Sequence, residues 1–491
     1  MIRLVTLLML VGVLSFSAYA DELRPDEKSP PAAVSEASSS SSMTLGDIIS
    51  WPFIHLIQPV FGFLVYPVTA PLHYVIDNGV TDKAVELVTF GKRKNILIYP
   101  VFNFKPGSST MIGVCYRHRN LIKQGDYFVL EDHFYANSDF DFKLRYSKQS
   151  LFGLKLYGQT TLNMYLDRDN GFVLPGTKES FKQADTTFAY GLNFGFPITE
   201  SRNLNFSFGS EFIYHWANFT DTQDSILNDA KFPINDRGLY QGHFEIPVYV
   251  NLVFDNLDFP YAPSRGNRLS IKAMYVFTSK YEGFNQDHLS QLGLDESSIL
   301  GDPNKNHDHF GVEAFYQIYF FIGKAEKYVL SAKEARKTRK FYTDFSLNEA
   351  LRVWRPENLV ETLFERRVLA FQYRFVGMWE IEKGSAPYSA FPKMNARFPL
   401  RGYSDAWASP FLMGLSMEYR WPVDRLVDGV VFDEYGMVSD RVNHWSKKNI
   451  YNSWGFGVRV RKPDMYLFRM QFAFHGWHGI SLVMTIAPEF R

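Results

Sequence analysis

The stretch that decides the fold is residues 412–422, LMGLSMEYRWP. Large apolar side chains occupy every second position from Met413 to Trp421, and small or charged residues fill the positions between them, from Gly414 to Arg420. A period of two places successive side chains on opposite faces of a β-strand. Large apolar groups on one face and charged groups on the other suit a strand with lipid on one side and water on the other. The stretch therefore predicts a membrane-spanning β-strand.

The same alternation recurs along the chain from Lys94 onward. Bacterial single-chain barrels have an even number of strands, and sixteen such segments can be placed. We predict an all-β fold, a 16-stranded antiparallel transmembrane β-barrel. A water-soluble β-sandwich is the alternative, because each single strand signal is weak. The segments lie near 95–104, 110–118, 125–134, 139–148, 153–167, 186–197, 204–217, 243–256, 267–279, 310–323, 366–378, 409–422, 428–438, 450–461, 465–475 and 479–490.

Composition excludes several other classes of protein. The 491 residues contain 52 Lys and Arg against 52 Asp and Glu, a balance that argues against a nucleic-acid partner. The single cysteine, Cys115, excludes a disulfide framework and multi-cysteine metal sites. Aromatic residues make up 17% of the chain. No segment beyond the N-terminus offers the roughly 18 uninterrupted apolar residues of a membrane-spanning helix, so the aromatic content again favours strands.

Three segments precede the predicted barrel, which occupies residues 94–491. Residues 1–20 are predicted to be a cleaved signal peptide, with a positive start, an apolar stretch and a small-residue cleavage site. Residues 21–43 are rich in Ser, Pro and charge and predict a disordered linker. Residues 44–93 are apolar, but their prolines forbid one continuous helix, so we predict short amphipathic periplasmic helices that lie on the membrane or plug the barrel. Export and a barrel together predict the bacterial outer membrane.

One connection on the predicted periplasmic side is unusually long. With the N-terminus in the periplasm, connections after even-numbered strands face the periplasm, and residues 324–365 form one of them. Between Lys324 and Lys340 this connection holds seven Lys or Arg against two Glu. Ser346 and Glu349 form a capping box that opens a helix. We predict a helical periplasmic insertion, which would rest on anionic headgroups or a partner, or would be a solvated hairpin without a role.

Short motifs in the second half of the chain carry a family resemblance. They are a turn with Asp255, Asp258, Pro260 and Gly266, the stretch Leu400, Arg401, Gly402 and Tyr403, a strand with Phe432 and Gly436, and a late strand at 455–459. In this order they resemble the BamA/TamA-type outer-membrane barrel superfamily (the bacterial surface antigen family), over about residues 94–490. The chain before the barrel is too short for the periplasmic polypeptide-transport-associated domains of most members. It therefore resembles the branch that lacks them.

The resemblance implies that the loop carrying Arg401 folds back into the barrel lumen. A guanidinium group there needs carboxylate partners, and its planar fork suits bidentate pairing. Glu418 lies on the inward face of its strand, and Glu434 shares a face with Gly436. We therefore predict Glu418 and Glu434 as the partners of Arg401, with Gly402 allowing close backbone approach. Such a cluster would position the loop and would not be catalytic; Glu434 also departs from the family, which usually has Asp at this position.

The seam that closes the barrel is predicted from three further residues. Proline cannot donate a backbone hydrogen bond and is tolerated mainly on edge strands. Pro100 lies in the first predicted strand and Pro488 near the end of the last, so both remove a donor near the seam, unless they sit at strand ends where no bond was due. Phe490 gives the chain the near-terminal aromatic of outer-membrane β-signals.

The resemblance implies a barrel that assists insertion or translocation of protein, or of lipid, at the outer membrane. The predicted partners are outer-membrane lipids and an unfolded or secreted client protein, with a periplasmic partner or a second copy as further candidates. No cofactor, metal ion or nucleic acid is predicted, and we expect no enzymatic activity.

Two alternatives to this function stay open from the residues. A passive or substrate-selective channel would use the inward-facing arginines Arg459, Arg461 and Arg469 to favour anions. An outer-membrane lipase would use a histidine close to Ser481, but a nucleophile also needs a base oriented by a third group, and no such group is evident.

Overall fold

A computed structural model gives the architecture of the chain. It describes residues 88–91, 95–103, 111–135, 139–173, 180–199, 201, 203–218, 242–258, 263–282, 306–322, 367–383, 385–386, 390–394, 400–403, 407–423, 427–462, 465–476 and 479–485. The predicted signal peptide, linker and nearly all of the segment 44–93 lie outside these residues. So do the insertion 324–365 and the predicted motif residues Pro260, Pro488 and Phe490.

Sixteen strands form the body of the molecule, and they correspond one to one to the sixteen predicted segments. Each pairs antiparallel with the next along the chain. The predicted all-β, 16-stranded antiparallel barrel is confirmed. The strands are β1 Ile96–Asn103, β2 Met111–Arg119, β3 Asp126–Tyr135, β4 Phe140–Lys148, β5 Tyr157–Val173, β6 Ser180–Pro197, β7 Leu204–Asn218, β8 Gly242–Asp255, β9 Gly266–Glu282, β10 His309–Phe321, β11 Val368–Glu380, β12 Phe411–Pro422, β13 Val427–Ser439, β14 Ile450–Lys462, β15 Met465–His475 and β16 Ile480–Thr485.

The two faces of the sheet differ as the alternation predicts. On β8, Ile246, Val248 and Val250 are exposed, whereas His243 and Glu245 are buried. On β12, Leu415 is exposed and Glu418 is buried. Apolar side chains that point away from the protein suit a surface surrounded by lipid. Among the described residues, no helix has the length and apolar character to cross a bilayer.

The hairpin of β5 and β6 is longer than its sequence indicates. The predicted segments end at residue 167 and resume at residue 186, so residues 168–185 are predicted to connect the two strands. Instead β5 continues to Val173 and β6 begins at Ser180, with a register shift between Asp167 and Asn170. Ladder hydrogen bonds join backbone groups and need no apolar side chain, so the pairing continues through a polar stretch.

The segment between β11 and β12 folds onto the inward face of the sheet. Its two-residue strands Lys393–Met394 and Trp407–Ala408 pair with each other, and Trp407 also pairs in parallel with Val173 of β5. Leu400 in this segment is fully buried. A buried cluster holds the segment against β12 and β13, and its members are Met394, Leu400, Trp407, Leu412 and Val438. The packing brings the motif residues 400–403 into the lumen.

Candidate functional site

Arg401 lies at the centre of a buried network of charged groups. Its Nη2 donates to Oε2 of Glu418 over 2.9 Å, and its Nε lies 2.9 Å from Oε1 of Glu434. Nη1 donates to Oε1 of Gln471 over 3.0 Å. The exposed fractions of Arg401, Glu418 and Glu434 are 4%, 1% and 0%. The guanidinium fork thus reaches three strands at once, in a place where an unpaired charge would be costly.

The backbone of the loop is held as firmly as the guanidinium group. The backbone N–H of Arg401 donates to Oε2 of Glu434 over 2.7 Å, so one carboxylate receives two bonds from one residue. Gly402 N–H donates to Oγ of Ser453 over 2.8 Å, and Oγ of Ser481 donates to the carbonyl oxygen of Gly402 over 3.1 Å. Ser481, considered above as a lipase nucleophile, therefore has its hydroxyl committed to the loop.

These contacts tie two loop residues to the last five strands of the sheet. Each strand from β12 to β16 contributes one polar side chain to Arg401 or Gly402: Glu418, Glu434, Ser453, Gln471 and Ser481. Two consecutive loop residues therefore contact every strand from β12, the strand that follows the loop, to β16, the last described strand.

A second layer joins this network to a turn at the other end of the strands. Oε1 of Glu418 accepts from Nε of Arg420 over 2.6 Å, and Nη1 of Arg420 reaches the carbonyl oxygen of Pro263 over 3.4 Å. Pro263 belongs to the turn whose Asp258 accepts from the Ser264 backbone over 2.9 Å. The turn motif and the loop motif are thus connected through β12.

The turn motif shapes the chain between β8 and β9. Oδ1 of Asp255 accepts from the Leu257 backbone over 3.2 Å, and Arg268 lies 3.7 Å from the other carboxylate oxygen. Gly266 has φ +98°, a backbone conformation that favours glycine. A Cβ there would also strike the carbonyl oxygen of Asn256. Asp255, Asp258 and Gly266 therefore act on backbone geometry.

Aromatic rings enclose the loop on both sides of the charged network. The guanidinium carbon of Arg401 lies 4.2 Å from the centre of the Phe432 ring, a cation–π contact. The Tyr403 ring packs edge-on against Trp407, with 4.9 Å between centroids, and lies 5.3 Å from the His475 ring. Burial raises the pKa of the Tyr403 hydroxyl, so this side chain stays neutral.

Two glycines make room for the loop. A Cβ on Gly402 would lie 2.6 Å from the carbonyl oxygen of Phe474, and a Cβ on Gly436 would strike the side chains of Met394 and Leu400. The loop backbone thus passes directly over β15, and the loop's apolar side chains fill the space above β13. Both positions require the absence of a side chain.

The structure places the predicted residues together and adds others that the sequence reasoning missed. Arg401, Glu418, Glu434, Phe432 and Gly436 meet within one cluster. The missed partners are Arg420, Ser453, Gln471 and Ser481. Arg459 of β14 and Arg469 of β15 stand opposite each other on the same face. All of these lie on inward-facing positions, so the alternation of β12 to β16 was the signal that could have named them as candidates.

At the predicted seam, the structure describes only one of the three residues. Pro100 lies within β1, opposite Val114 of β2. It therefore removes one backbone donor from a strand at the edge of the described pairing. A separate two-residue strand, Thr89–Phe90, pairs antiparallel with Leu97 and Ile96 of β1, although this stretch was predicted to belong to the amphipathic segment.

A 16-stranded antiparallel barrel with a buried RGY loop in its lumen defines a class of outer-membrane barrels. Residues 120–478 match the Omp85 superfamily domain. The match covers more than half of the chain, and the chain belongs to the Omp85 superfamily. The resemblance drawn from the motifs is thereby confirmed. Omp85 barrels are bacterial outer-membrane proteins whose members act as insertases and translocators rather than as typical enzymes.

Solved structures similar to this chain include BamA from Haemophilus ducreyi lacking POTRA domains 1–3, with 13% identity, a TM-score of 0.48, and coverage of 80% of this chain and 70% of that chain. CdiB from Acinetobacter baumannii has 10% identity and a TM-score of 0.43, with 80% of this chain and 60% of that chain covered. For CdiB from Escherichia coli the values are 9%, 0.43, 79% and 62%. This chain thus spans less than two thirds of either CdiB chain. No curated protein matches the sequence.

Proposed function

We propose that this protein assists the insertion or translocation of protein, or of lipid, at the outer membrane. We further propose that the Arg401 loop stabilises the strands next to the seam during this process. The observation that carries the proposal is the attachment of Arg401 and Gly402 to each of the strands β12 to β16. A loop bound in this way supports the strands next to the seam while a client engages them.

The charges of the network explain why the loop would act as one unit. Glu418 and Glu434 are buried and share the guanidinium group of Arg401. Removing the guanidinium group would leave Glu434 buried without a cation and Glu418 with Arg420 alone, and the loop would lose its charged contacts to both strands. The loop therefore has one strongly favoured position.

The seam between the first and last strands is the proposed route for the client. Pro100 supplies no backbone donor on β1, and Pro488, which is predicted to lie near the end of the last strand, would supply none on the other side of the seam. The hydrogen bond from Ser481 to Gly402 joins the loop to β16 directly. We propose that the loop stabilises β16 from inside while the seam opens toward the bilayer.

Liposomes that contain the purified protein test this function. An unfolded outer-membrane barrel is added from denaturant, and its folding rate in these liposomes is compared with its folding rate in empty liposomes. We expect acceleration by the wild type, loss of acceleration in Arg401→Ala, and a reduced effect in Ser481→Ala, which removes only one hydrogen bond. Arg441→Ala is the matched control, because Arg441 is exposed and remote from the network.

The control for folding is the mobility difference between heated and unheated samples on a gel. If the wild type is folded and does not accelerate the client, the insertase proposal is wrong, and a channel is the better reading. If Arg401→Ala is folded and as active as the wild type, the proposed role of the loop is wrong.

A further inference from the structure

A second cluster of chemically active side chains lies on the lumenal face of β7 and β8. His215 of β7 stands directly opposite His243 of β8, and Glu245 follows two residues later on the same face. His243 and Glu245 are buried, and His215 is half-buried. The cluster lies at the end of the strands where residues 219–241 connect them. None of the three takes part in the network around Arg401.

The ligand atoms of this cluster lie close enough together for small side-chain movements to bring them onto one metal ion. Nε2 of His243 lies 3.2 Å from Oε1 of Glu245, and Nε2 of His215 lies 3.6 Å from Oε2. All three ligand atoms lie within 4.8 Å of one another. Zinc binds nitrogen and oxygen at about 2.0–2.2 Å, so two ligands of a tetrahedral ion stand roughly 3.3 Å apart.

A neighbouring hydroxyl group orients the imidazole ring of His215. Nδ1 of His215 lies 3.3 Å from Oγ1 of Thr187, a contact that directs Nε2 toward Glu245. The two rings are stacked, with 4.7 Å between centroids and 16° between planes. A hydrogen bond to the second ring nitrogen is the usual way in which a protein orients a histidine ligand.

His309 of β10 is a further histidine on the lumenal face at this end of the strands. It is buried, and among the described residues its Nδ1 has no hydrogen-bond partner. It lies on the lumenal face, opposite Val276 of β9, and Glu245 stands opposite Thr278 of the same strand.

We propose that His215, His243 and Glu245 bind one divalent transition-metal ion, with Zn²⁺ as the best fit. Imidazole with one carboxylate favours Zn²⁺, Ni²⁺ or Cu²⁺ over Mg²⁺ or Ca²⁺, which prefer oxygen ligands. The ion ties β7 to β8 at the base of the segment that connects them.

The same barrel contains a histidine–carboxylate pair that lacks this property. Nδ1 of His133 lies 3.3 Å from Oδ2 of Asp141, but Nζ of Lys143 lies 2.6 Å from the same oxygen. The ammonium group occupies the place a cation would take and repels a metal ion. His133 is therefore a matched control: a buried lumenal histidine beside a carboxylate, without a second histidine.

Calorimetric titration of the full-length protein, folded in detergent and freed of metal by a chelator, tests the proposal. We expect one Zn²⁺ per chain in the wild type and in His133→Ala, and at least a tenfold weaker affinity in His215→Ala and in His243→Ala. Co²⁺ gives a second readout, since its visible spectrum reports nitrogen and oxygen ligation. Glu245→Gln keeps the shape of the side chain and should also weaken binding. It provides the test if either histidine variant fails to fold.

The proposal is overturned if the wild type takes up no Zn²⁺. It is also overturned if folded His215→Ala and His243→Ala bind as tightly as the wild type, because the ion would then lie elsewhere in the chain. A drop in His133→Ala equal to that in His243→Ala would show a nonspecific effect of removing buried histidines.

Discussion

A single guanidinium group determines the position of the lumenal loop. Arg401 satisfies two buried carboxylates and one amide that belong to three different strands. Its planar fork is suited to this geometry, because the three contacts come from three separate nitrogen atoms, whereas lysine carries its three donors on one nitrogen. At the scale of the residue, the network therefore depends on arginine itself and not only on positive charge.

Arg401→Ala should lower the free energy of unfolding by about 3–5 kcal/mol, because Glu434 would remain buried without its cation and Glu418 would keep only Arg420. Arg401→Lys should recover only part of this loss. Arg441→Ala should change the free energy by less than about 0.5 kcal/mol, since its side chain is 66% exposed. Urea titration of the protein in detergent micelles measures all three, and equal effects of Arg401→Ala and Arg441→Ala would contradict the prediction.

Gly402→Ala should destabilise the protein by about 1–3 kcal/mol, because the new Cβ would lie 2.6 Å from the backbone carbonyl oxygen of Phe474. Gly311→Ala serves as the control, since a Cβ there meets only the flexible side chain of Met274. The same urea titration compares the two variants. A cost at Gly311 as large as that at Gly402 would show that backbone crowding is not the cause.

At the scale of the element, the loop is held by apolar packing as well as by charge. Leu400 precedes Arg401 and is fully buried among Met394, Trp407 and Leu412. This packing fills the space that Gly436 leaves above β13. The charged contacts give the loop its direction, and the apolar cluster removes water from around them, which strengthens each ion pair.

Leu400→Ala should loosen the loop, because the truncation leaves a cavity in the cluster and costs about 2–5 kcal/mol. Cleavage of the folded protein by a protease, at sites between β11 and β12, should become faster. Leu415→Ala is the control from β12, since Leu415 is 39% exposed on the outer face. Similar cleavage rates in both variants would show that the cluster does not hold the loop.

At the scale of the whole molecule, the loop occupies a barrel that would otherwise be wide. It contacts β12 to β16 through Arg401 and Gly402 and reaches β5 through Trp407. A lumen bridged from one side to the other conducts poorly. An insertase is therefore expected to conduct ions poorly while the loop is in the lumen, whereas a passive channel is expected to conduct ions with the loop in place.

Deletion of residues 396–406 should raise the single-channel conductance in planar bilayers, because it removes Arg401 and the packing around it from the lumen. The wild-type barrel should be mostly closed under the same conditions. Arg441→Ala should conduct like the wild type. High conductance in the wild type that does not change on deletion would favour the passive channel.

The sequence by itself determined the strand content of the barrel. The alternation in β12 and in the strands after it gives the inward and outward faces, because the period of a strand is two whatever its neighbours are. The partners Glu418 and Glu434 followed from that phase together with the family resemblance of the loop. The end of β5 did not follow, since pairing continued through polar residues that carry no periodic signal.

Only the tertiary structure decided which inward-facing residues meet. Ser453, Gln471 and Ser481 lie 51, 70 and 79 residues from their contacts in the loop. Alternation indicates the face on which a side chain lies, but not its height on the barrel wall, which depends on the register of every preceding strand. The meeting of His215, His243 and Glu245 has the same origin, because a cross-strand pair exists only once the register of β7 and β8 is set.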